Sequence, residues 1–521
     1  MLELFLYLKY YLIVNNFTIK EKPLMKSLNT NVVIVGSGSS GISAGFELYQ
    51  QKVPFILLER GDKVGGAGKF GSHGVFAINS QQQKDKKVKY GYQEAFEGMA
   101  DYNHYFVNGE LLSRFLKESG ENIERMEQMG LPVTVEQSEQ KAHLNDPLVY
   151  HKFNNFTEKM ANWDKLPEKF EEAGNTVLRQ TSAVDLDYNG GLKAVIAEDS
   201  NGQKIRINTK KAIFADGGYC GDQEMMAEKY TDTDELLNLG EHKADGTGIK
   251  LAKKLGANTQ HNPVLFAHGC APSFQINPMA RQSSVETLTN LPLLWLDQTG
   301  NRFVNEDVVY DFAMWANAAH NVQGRYYAIV DQETLNTFKT KEINLEDTIE
   351  RQFCEVGVEP RTTVGPIPDI QADFDKAIQS GEVVKAETLE ELSEKINLPL
   401  AALKRSIKVY NQAVKNKKDD TFLKPADELL FGVKDGPYYA IIEHCAILGT
   451  LDGVNVNRNC EPVKRDGSPL KDLYIVGNNV NGLYSDGYPS YEGIANGFAF
   501  VSGWIAAKEA VKSMNNEEVK N

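Results

Sequence analysis

The first regular pattern along the chain is a short apolar run followed by a glycine-rich turn and a helix. Asn31-Val-Val-Ile-Val35 is rich in β-branched residues, which is typical of a parallel strand buried on both faces. It leads into Gly36-Ser-Gly38-Ser-Ser-Gly41, and a helical pattern follows from Ile42 to Gln51. A second apolar run, Pro54-Phe-Ile-Leu-Leu58, ends in Glu59-Arg60. The order strand, glycine turn, helix, strand predicts a βαβ unit.

Helical and alternating patterns continue this α/β texture to about residue 260. Helical periodicity runs from Glu110 to Met129 and again from Asn155 to Gly174. Apolar and polar positions then alternate from Ser182 to Ile207. Interruptions at Asn189-Gly-Gly191 and Asn201-Gly202 divide this stretch and predict a pair of hairpins. The region therefore reads as an α/β domain that carries an inserted meander.

One more strand and helix complete the first part of this domain. Lys210 to Ala215 is an apolar strand that ends at Asp216-Gly-Gly218. Asp245-Gly-Thr-Gly248 precedes a helix from Ile249 to Leu255, and Gly256 is placed to cap its C-terminus. These segments continue the α/β pattern.

From about residue 260 the pattern changes to short mixed strands and polar helices, which predicts a second, α+β domain. Its last part, Thr388 to Lys415, is a strongly charged helical pair. The apolar strand Leu473-Tyr-Ile-Val476 and the small-residue helix from Gly493 to Ala510 then restore the first texture. We therefore expect an N-terminal tail (1–28), an α/β domain in two parts (29–260 and 438–515) and an inserted domain (261–437).

Composition and charge exclude several classes of function. The 521 residues carry a net charge of −15, so they offer no positive field to a phosphate backbone, and nucleic acid is not an expected partner. The five cysteines are widely spaced without a C-x-x-C pair, which argues against bound metal and iron–sulfur centres and favours a reducing cytoplasm. The apolar leader Met1 to Val14 is too short to cross a bilayer, so no integral membrane segment is expected.

The first glycine-rich turn has a clear chemical meaning. Glycines at G-x-G-x-x-G spacing between a strand and a helix let the backbone approach a pyrophosphate and present N–H groups at the positive end of the helix. Glu59 follows Gly41 by 18 positions, close to the spacing of about 20 for a carboxylate that binds ribose hydroxyls. The sequence thus predicts a dinucleotide site, and a purely structural glycine turn is the alternative.

Further short motifs, several of them rich in glycine, follow in a distinctive order. They are Val64-Gly-Gly66-Ala-Gly68, Gly71-Ser-His-Gly-Val-Phe-Ala-Ile-Asn79, Ala212-Ile-Phe-Ala-Asp-Gly-Gly218, Asp245-Gly-Thr-Gly248, Asn301-Arg-Phe-Val-Asn-Glu306 and Leu473-Tyr-Ile-Val-Gly477. From about residue 30 to 512 this series resembles the FAD-dependent fumarate reductase and succinate dehydrogenase flavoproteins, to which the 3-ketosteroid dehydrogenases are related. The resemblance implies a Rossmann-like FAD-binding domain of the glutathione-reductase type, interrupted by an inserted α+β capping domain that covers the substrate.

The resemblance also implies which residues hold FAD. They belong to the two glycine turns, to the strand ends and to the start of the last helix, whose positive end would face the flavin ring. Asn478 replaces a glutamate that is frequent in the family, and its amide can still bond ribityl hydroxyls. The expected set is Gly36, Gly38, Ser39, Ser40, Gly41, Glu59, Arg60, Gly65, Gly66, Ala67, Gly71, Ser72, His73, Gly74, Val75, Ala215, Gly217, Asp245, Gly477, Asn478, Gly493, Ile494 and Ala495.

The arginines of the fumarate reductases are missing. Tyr310 occupies the place of the family's proton-donating arginine, and Gly487-Tyr-Pro-Ser-Tyr-Glu-Gly493 replaces the segment with the dicarboxylate-binding arginine. Leu448 replaces one family histidine, whereas His268 stands where the other is expected. Because paired carboxylates are best bound by guanidinium groups, we expect a substrate less anionic than fumarate.

The catalytic candidates are Tyr310, Tyr488 and His268. In motif position the two tyrosines resemble those of the 3-ketosteroid dehydrogenases, where phenols transfer protons or polarise a ketone. A phenol with a reference pKa of about 10 donates a hydrogen bond at neutral pH and acts as an acid if its anion is stabilised. Packing is the alternative for each tyrosine, and a satisfied structural hydrogen bond is the alternative for His268.

Three other side chains have open interpretations. His73 lies in a setting similar to that of the covalently flavinylated members, but the adjacent Gly-Gly-Ala-Gly segment resembles the noncovalent relatives, so we expect noncovalent FAD. Arg302 is expected to pair with a nearby acid rather than with substrate, and Arg281 is a further candidate cation.

The expected function is that of an FAD-dependent oxidoreductase that reduces an activated carbon–carbon double bond. Its partners would be a small alkene or ketone substrate and an external electron donor, either a nicotinamide, a reduced flavin or a separate reductase. A 3-ketosteroid-type dehydrogenase and a flavin redox sensor or electron shuttle are the alternatives. A shuttle gains little from a closed substrate chamber, so the capping domain argues against it.

Overall fold

A computed structural model describes residues 25–138, 140–272, 284–344, 363–485, 487–488 and 491–520; the candidate Arg281 lies outside them. The strands are β1 (Lys26–Asn29), β2 (Val32–Val35), β3 (Phe55–Leu58), β4 (Gly74–Phe76), β5 (Val133–Glu136), β6 (Tyr150–Phe153), β7 (Thr176–Leu178), β8 (Thr181–Tyr188), β9 (Leu192–Asp199), β10 (Lys204–Asn208), β11 (Lys211–Phe214), β12 (Leu237–Asn238), β13 (Leu265–Ala271), β14 (Leu294–Leu296), β15 (Arg325–Asp331), β16 (Ile343–Asn344), β17 (Thr363–Val364), β18 (Val383–Ala386), β19 (Tyr438–Thr450), β20 (Val454–Asn455), β21 (Leu473–Ile475) and β22 (Val480–Asn481).

The helices are interspersed with these strands along the chain. They are α1 (Ser39–Gln50), α2 (Gly66–Phe70), α3 (Gln81–Asp85), α4 (Tyr92–Tyr102), α5 (Gly109–Gln128), α6 (Phe156–Glu172), α7 (Gln223–Lys229), α8 (Thr247–Lys254), α9 (Ser284–Thr289), α10 (Phe312–Asn321), α11 (Gln332–Thr340), α12 (Ile370–Ser380), α13 (Leu389–Lys395), α14 (Leu400–Asn416) and α15 (Ile494–Lys520).

A five-stranded parallel sheet forms the centre of the first domain, in the order β21-β11-β2-β3-β7. Every residue of β2, β3 and β11 is buried, because helices cover the sheet and leave these apolar runs no exposed face. The unit β2-α1-β3 is the predicted βαβ unit, and it places the N-terminus of α1 at the carboxyl end of β2. This edge of the sheet is where ligands bind in doubly wound folds.

The last helix, α15, crosses α1 at close range. A Cβ atom at Gly503 would lie 2.1 Å from the Ser40 carbonyl oxygen, so only glycine permits this approach. The Ser43 hydroxyl donates to the Phe500 carbonyl at 2.7 Å. The helix continues to Lys520 rather than ending near residue 510 as predicted, and Lys211 binds Glu517 in the added turns at 2.7 Å.

The predicted meander is present as β8, β9 and β10, which pair in antiparallel register. Lys26–Asn29 forms β1 and pairs in parallel with β10, although residues up to 28 were expected to belong to the N-terminal tail. This strand lies at the sheet edge and is mostly exposed, so its residues carry no apolar alternation that would predict it.

A second, mixed sheet lies beyond the carboxyl edge of the parallel one. Its order is β12-β19-β15-β14, and β13 and β18 also pair with β19. The long strand β19 begins after the expected domain boundary at residue 437 and joins strands of the inserted region on both sides; the boundaries themselves stay predictions. One face of this sheet is buried under α13 and α14, which form the predicted charged pair.

The architecture is therefore the predicted one, an α/β nucleotide-binding fold with an inserted α+β part. Across the residues that the structure describes, no helix is both long and apolar enough to cross a bilayer. The same residues contain no group of three or more His, Cys, Asp or Glu side chains placed to hold a metal ion.

Candidate active site

A cavity of about 430 Å³ opens at the carboxyl ends of β2, β3 and β11 and extends to β13 and β19. Most of the predicted cofactor residues line it: Gly36, Gly38, Ser39, Ser40, Glu59, Arg60, Gly66, Ala67, Gly71, Ser72, His73, Gly74, Ala215, Gly217, Asp245, Asn478, Gly493 and Ala495. The other five, Gly41, Gly65, Val75, Gly477 and Ile494, are not part of the lining. The structure thus brings the predicted residues together around one cavity of the size that cofactors and substrates occupy.

One end of the cavity is made of bare backbone. Gly38 caps α1 without a side-chain hydrogen bond, so the first N–H groups of the helix have no side-chain acceptor there. A Cβ atom at Gly38 would have only the Gly65 carbonyl within 4 Å, at 3.8 Å, and one at Gly217 would have only the Ala244 side chain, also at 3.8 Å. This open cradle at a helix N-terminus fits a pyrophosphate group.

Two other glycines of the motif shape the turn itself. A Cβ atom at Gly41 would lie 1.9 Å from the Gly36 carbonyl oxygen. Gly36 has a φ of +96°, and a Cβ atom there would lie 2.5 Å from the Ala215 carbonyl oxygen. Gly36 and Gly41 therefore allow β2, the glycine turn and β11 to pack closely. Gly41 does so without being part of the cavity lining.

The carboxylate predicted for ribose lies at the end of β3. Glu59 accepts hydrogen bonds from the Ser37 hydroxyl and, at 2.6 Å, from the Gly61 N–H. Ser37 in turn accepts from the Gly65 N–H at 3.0 Å. The carboxylate is thus fixed between the first and second glycine turns, on the cavity wall.

Arg60 organises the neighbouring part of the wall. Its guanidinium donates to Asp245 at 2.6 Å, to Thr247 at 3.2 Å and to Ser182 at 3.1 Å. Burial by itself would raise the pKa of Asp245, but the hydrogen bonds from Arg60 and Thr247 outweigh it and lower the pKa. Arg60 therefore acts as a brace between β8 and the start of α8. The sequence did not predict Ser182 or Thr247, because side-chain pairing between distant segments leaves no local pattern.

Asn496 joins three parts of the site and was also missed. It accepts from the Ser39 hydroxyl at 2.6 Å and donates to the Ser72 hydroxyl at 2.6 Å and to the Gly74 carbonyl at 3.0 Å.

The second glycine turn is held from its other side by the buried Lys159, which donates to the Ser72 carbonyl at 2.5 Å. Burial lowers the pKa of Lys159 to about 7.

His73 lines the cavity beside this turn. Its ring meets Phe156 edge-on, with 5.9 Å between ring centroids, and its carbonyl accepts from the Phe153 N–H at 2.9 Å. The backbone of His73 is thus anchored to β6. Noncovalent rather than covalent attachment of FAD at this residue stays a prediction.

The opposite end of the cavity is lined by aromatic side chains. Tyr488 stacks on Phe266 with ring centroids 4.4 Å apart and planes 22° apart. His268 packs against Phe312 at 5.1 Å. The Tyr488 hydroxyl accepts a 3.4 Å hydrogen bond from the Ala495 N–H at the start of α15. Burial raises the pKa of Tyr488, and backbone N–H groups of the same helix start oppose the rise.

Tyr310 is not on the cavity wall. It is buried, and its hydroxyl donates to Glu428 at 3.0 Å. Lys141 binds the same carboxylate at 2.5 Å and lies 4.2 Å from the centre of the Tyr310 ring. Burial and the neighbouring Glu428 raise the pKa of Tyr310. Of the three catalytic candidates, the structure brings only Tyr488 and His268 to the cavity, and the catalytic role of Tyr310 stays an untested prediction that these contacts do not support.

Glu492 and Gln140 line the aromatic end and were not among the predicted residues. Glu492 accepts from the Ser138 hydroxyl and, at 3.4 Å, from the Gln140 amide. A signal for Glu492 existed in the sequence, since it lies in the segment that replaces the family's substrate-binding arginine. Gln140 left no such signal.

Arg302 has the structural role expected from the sequence. Its guanidinium binds both oxygens of Glu306, at 2.8 and 2.7 Å, and Asp419 at 2.9 Å. All three side chains are buried among aromatic rings of the inserted part, away from the cavity.

A helix N-terminus over a parallel sheet and an aromatic chamber at the other end of the same cavity fit an FAD-dependent oxidoreductase. The sequence profile of the FAD binding domain family matches residues 31–493, and the chain belongs to that family.

Several known proteins are similar to the chain. The vinyl phenol reductase of Lactiplantibacillus plantarum is 29% identical, over 95% of this chain and 99% of that protein. The NADH:fumarate oxidoreductase of Klebsiella pneumoniae is 23% identical over 92% of this chain, which spans 48% of that longer protein.

Solved structures show the same fold. An open flavocytochrome c3 fumarate reductase matches with a TM-score of 0.67 and 20% identity, over 94% of this chain and 79% of that one. The 3-ketosteroid Δ1-dehydrogenase of Sterolibacterium denitrificans matches with a TM-score of 0.72 and 17% identity, over 93% of this chain and 100% of that one. These findings confirm the predicted fold, the FAD cofactor and the class of enzyme, an FAD-dependent oxidoreductase that reduces activated carbon–carbon double bonds; the alternative functions are not favoured.

Proposed function

We propose that this enzyme reduces the vinyl group of a neutral aryl alkene, represented by 4-vinylphenol. The observation that carries the proposal is the aromatic end of the cavity, where Phe266, Tyr488 and His268 face the place expected for the flavin ring. Bound FAD supplies the hydride chemistry. The residues of the chain have to bind the alkene beside it, exclude water and deliver a proton.

The stacked pair favours a flat, apolar substrate. Phe266 and Tyr488 lie nearly parallel, and such a surface binds a planar ring by burial and offset stacking. The similarity to a vinyl phenol reductase over 99% of its length supports this substrate class.

Charge at the same end disfavours a dicarboxylate. Of the described residues that line it, none is an arginine or lysine, and Glu492 adds a carboxylate. Arg302 is already bound to Glu306 and Asp419. Among the described residues, a fumarate-like anion would therefore meet no guanidinium partner at this end and would lie next to a like charge.

Tyr488 is the proton donor in this proposal. Because burial raises its pKa, the phenol is protonated at neutral pH and can donate to a substrate carbon. The Ala495 N–H and the positive end of α15 stabilise the phenolate that remains after the transfer. This assignment moves the role expected for Tyr310 to the tyrosine that lines the cavity.

The electron donor and the location complete the proposal. A nicotinamide, a reduced flavin or a separate reductase would deliver the electrons. The cytoplasm is the compartment that suits the four cysteines among the described residues, which form no disulfide.

An anaerobic half-reaction tests the function. The purified FAD-loaded protein is reduced and then mixed with 4-vinylphenol, fumarate or urocanate while the flavin absorption is followed. We expect 4-vinylphenol to reoxidise the flavin fastest and to yield 4-ethylphenol. Faster reoxidation by fumarate, or no reoxidation by the aryl alkene, would contradict the proposal.

A further inference from the structure

Glu492 is the one acidic side chain among the described residues at the aromatic end of the cavity. It follows Tyr488 by four positions and directly precedes Gly493, where the backbone turns into α15. Ser138 donates to one carboxylate oxygen and the Gln140 amide donates to the other, at 3.4 Å. Its orientation is thus set by a loop from a distant part of the chain.

Gln140 is itself oriented by the capping part. Its amide oxygen accepts from the Phe312 N–H at 2.7 Å, so its amide nitrogen points toward Glu492. Phe312 begins α10 and also packs against His268. The carboxylate, the histidine and the cap helix consequently form one connected unit at the substrate end.

A carboxylate in this position recognises a hydrogen-bond donor. Ionised carboxylates only accept hydrogen bonds, and bonds to a charged acceptor are roughly twice as strong as neutral ones. Alkenes and ethers have no such donor, whereas a phenol has an acidic hydroxyl. A hydrogen bond to the carboxylate also places more negative charge on the phenol oxygen. In a 4-vinylphenol this raises the electron density at the terminal vinyl carbon, where a proton from Tyr488 would arrive.

We propose that Glu492 determines substrate specificity by accepting a hydrogen bond from the phenolic hydroxyl of the substrate. This inference rests on the proposed function, because it names the group that selects one kind of aryl alkene. Ser138 and Gln140 act as positioning residues for the carboxylate.

Equilibrium binding tests the proposal without turnover. The oxidised FAD-loaded protein is titrated with 4-ethylphenol and with 4-ethylanisole, its methyl ether, and the dissociation constants are read from the change in flavin absorption. We expect the wild-type protein to prefer the phenol, and Glu492→Gln to reduce that preference about tenfold, since a neutral amide replaces the charged acceptor. Glu97→Gln, the same change at an exposed helix position, should leave the preference unaltered.

The outcomes separate the two claims. If 4-vinylphenol reoxidises the reduced wild-type enzyme but Glu492→Gln keeps the full phenol preference, the role of Glu492 is overturned and the proposed function stands. If the wild-type protein neither binds 4-ethylphenol nor reacts with 4-vinylphenol, both are overturned. Should Glu492→Gln lose FAD, Ser138→Ala decides in its place: a reduced preference supports the proposal, and an unchanged one overturns it.

Discussion

The two ends of the cavity are built by different means. The glycine end is made mainly by one continuous segment, residues 36–41, whose backbone and missing side chains leave room for a phosphate group. The aromatic end takes single side chains from segments that lie far apart in the chain, namely Gln140, Phe266, His268, Leu448, Tyr488 and Glu492. Only the first kind of site leaves a compact signature in sequence.

The glycine end suits the cofactor that the family shares, whereas the aromatic end suits the substrate of one enzyme. A cradle of glycines and a helix terminus binds any dinucleotide pyrophosphate, so it can serve many reactions unchanged. Side chains such as Glu492 and Phe266 can be exchanged one at a time without disturbing the sheet. We therefore expect changes at the glycine end to affect FAD binding and changes at the aromatic end to affect substrate and turnover.

The largest effect should come from the glycines. Gly41→Ala puts a methyl group 1.9 Å from the Gly36 carbonyl, and the backbone on both sides cannot yield, so we expect insoluble or FAD-free protein. Gly38→Ala meets nothing closer than 3.8 Å, so the protein should fold but bind FAD at least about tenfold more weakly, because the methyl group occupies the approach of the phosphate. Soluble yield and the ratio of flavin to protein absorbance measure both effects. Equal FAD content in Gly38→Ala and wild type would contradict this division.

The fold could be predicted well because its signals are local. The run Val32–Val35, the glycine turn and the helix after it are contiguous, and the hairpins at 181–208 are marked by their turn residues. The strand Lys26–Asn29 and the extension of α15 to Lys520 were missed, since each depends on a distant partner: β10 for the strand and Lys211 for the helix. Tertiary contacts of this kind override local propensity.

A smaller effect, confined to the aromatic end, should distinguish the two tyrosines. Tyr488→Phe should slow reoxidation of the reduced flavin by 4-vinylphenol at least about 100-fold, since a general acid is removed, while FAD stays bound. Tyr310→Phe should change the same rate by less than about threefold, because its hydroxyl bonds Glu428 away from the cavity. Stopped-flow absorption measures both rates. The opposite order would restore Tyr310 as the proton donor.

The candidate site was predictable only in part. Its backbone residues followed from the motifs, but Tyr310 was placed by its position after the Arg-Phe-Val-Asn-Glu segment, and that position does not say which way a side chain points. The structure turns it toward Glu428 and Lys141. Gln140 and Asn496 were missed because each is defined by partners hundreds of residues away or in another element.

The smallest effect should come from the loop that links the aromatic end to the cap. His143 binds Asp146 at 2.9 Å and Asp311 at 3.3 Å. Burial by itself would lower the pKa of His143, but the hydrogen bonds and charges of these two carboxylates outweigh it and raise the pKa to about 10. Since the folded pKa lies above the unfolded value of about 6.5, the stabilisation is complete at low pH and is lost as the pH rises through about 10.

The Tm difference between wild type and His143→Gln should therefore be largest near pH 6, where the ion pairs contribute about 1–2 kcal/mol, and should approach zero above about pH 10. His151→Gln is the matched control, because His151 is also buried but its pKa is lowered rather than raised. Burial lowers the pKa of His151 to about 4, so this side chain is neutral in the folded protein over the same range. Its Tm difference should stay constant from about pH 7.5 upward, above the unfolded pKa. FAD content should be the same in both variants as in wild type, because neither histidine lines the cavity. A constant difference for His143→Gln would show that the two carboxylates do not hold the histidine in its charged form.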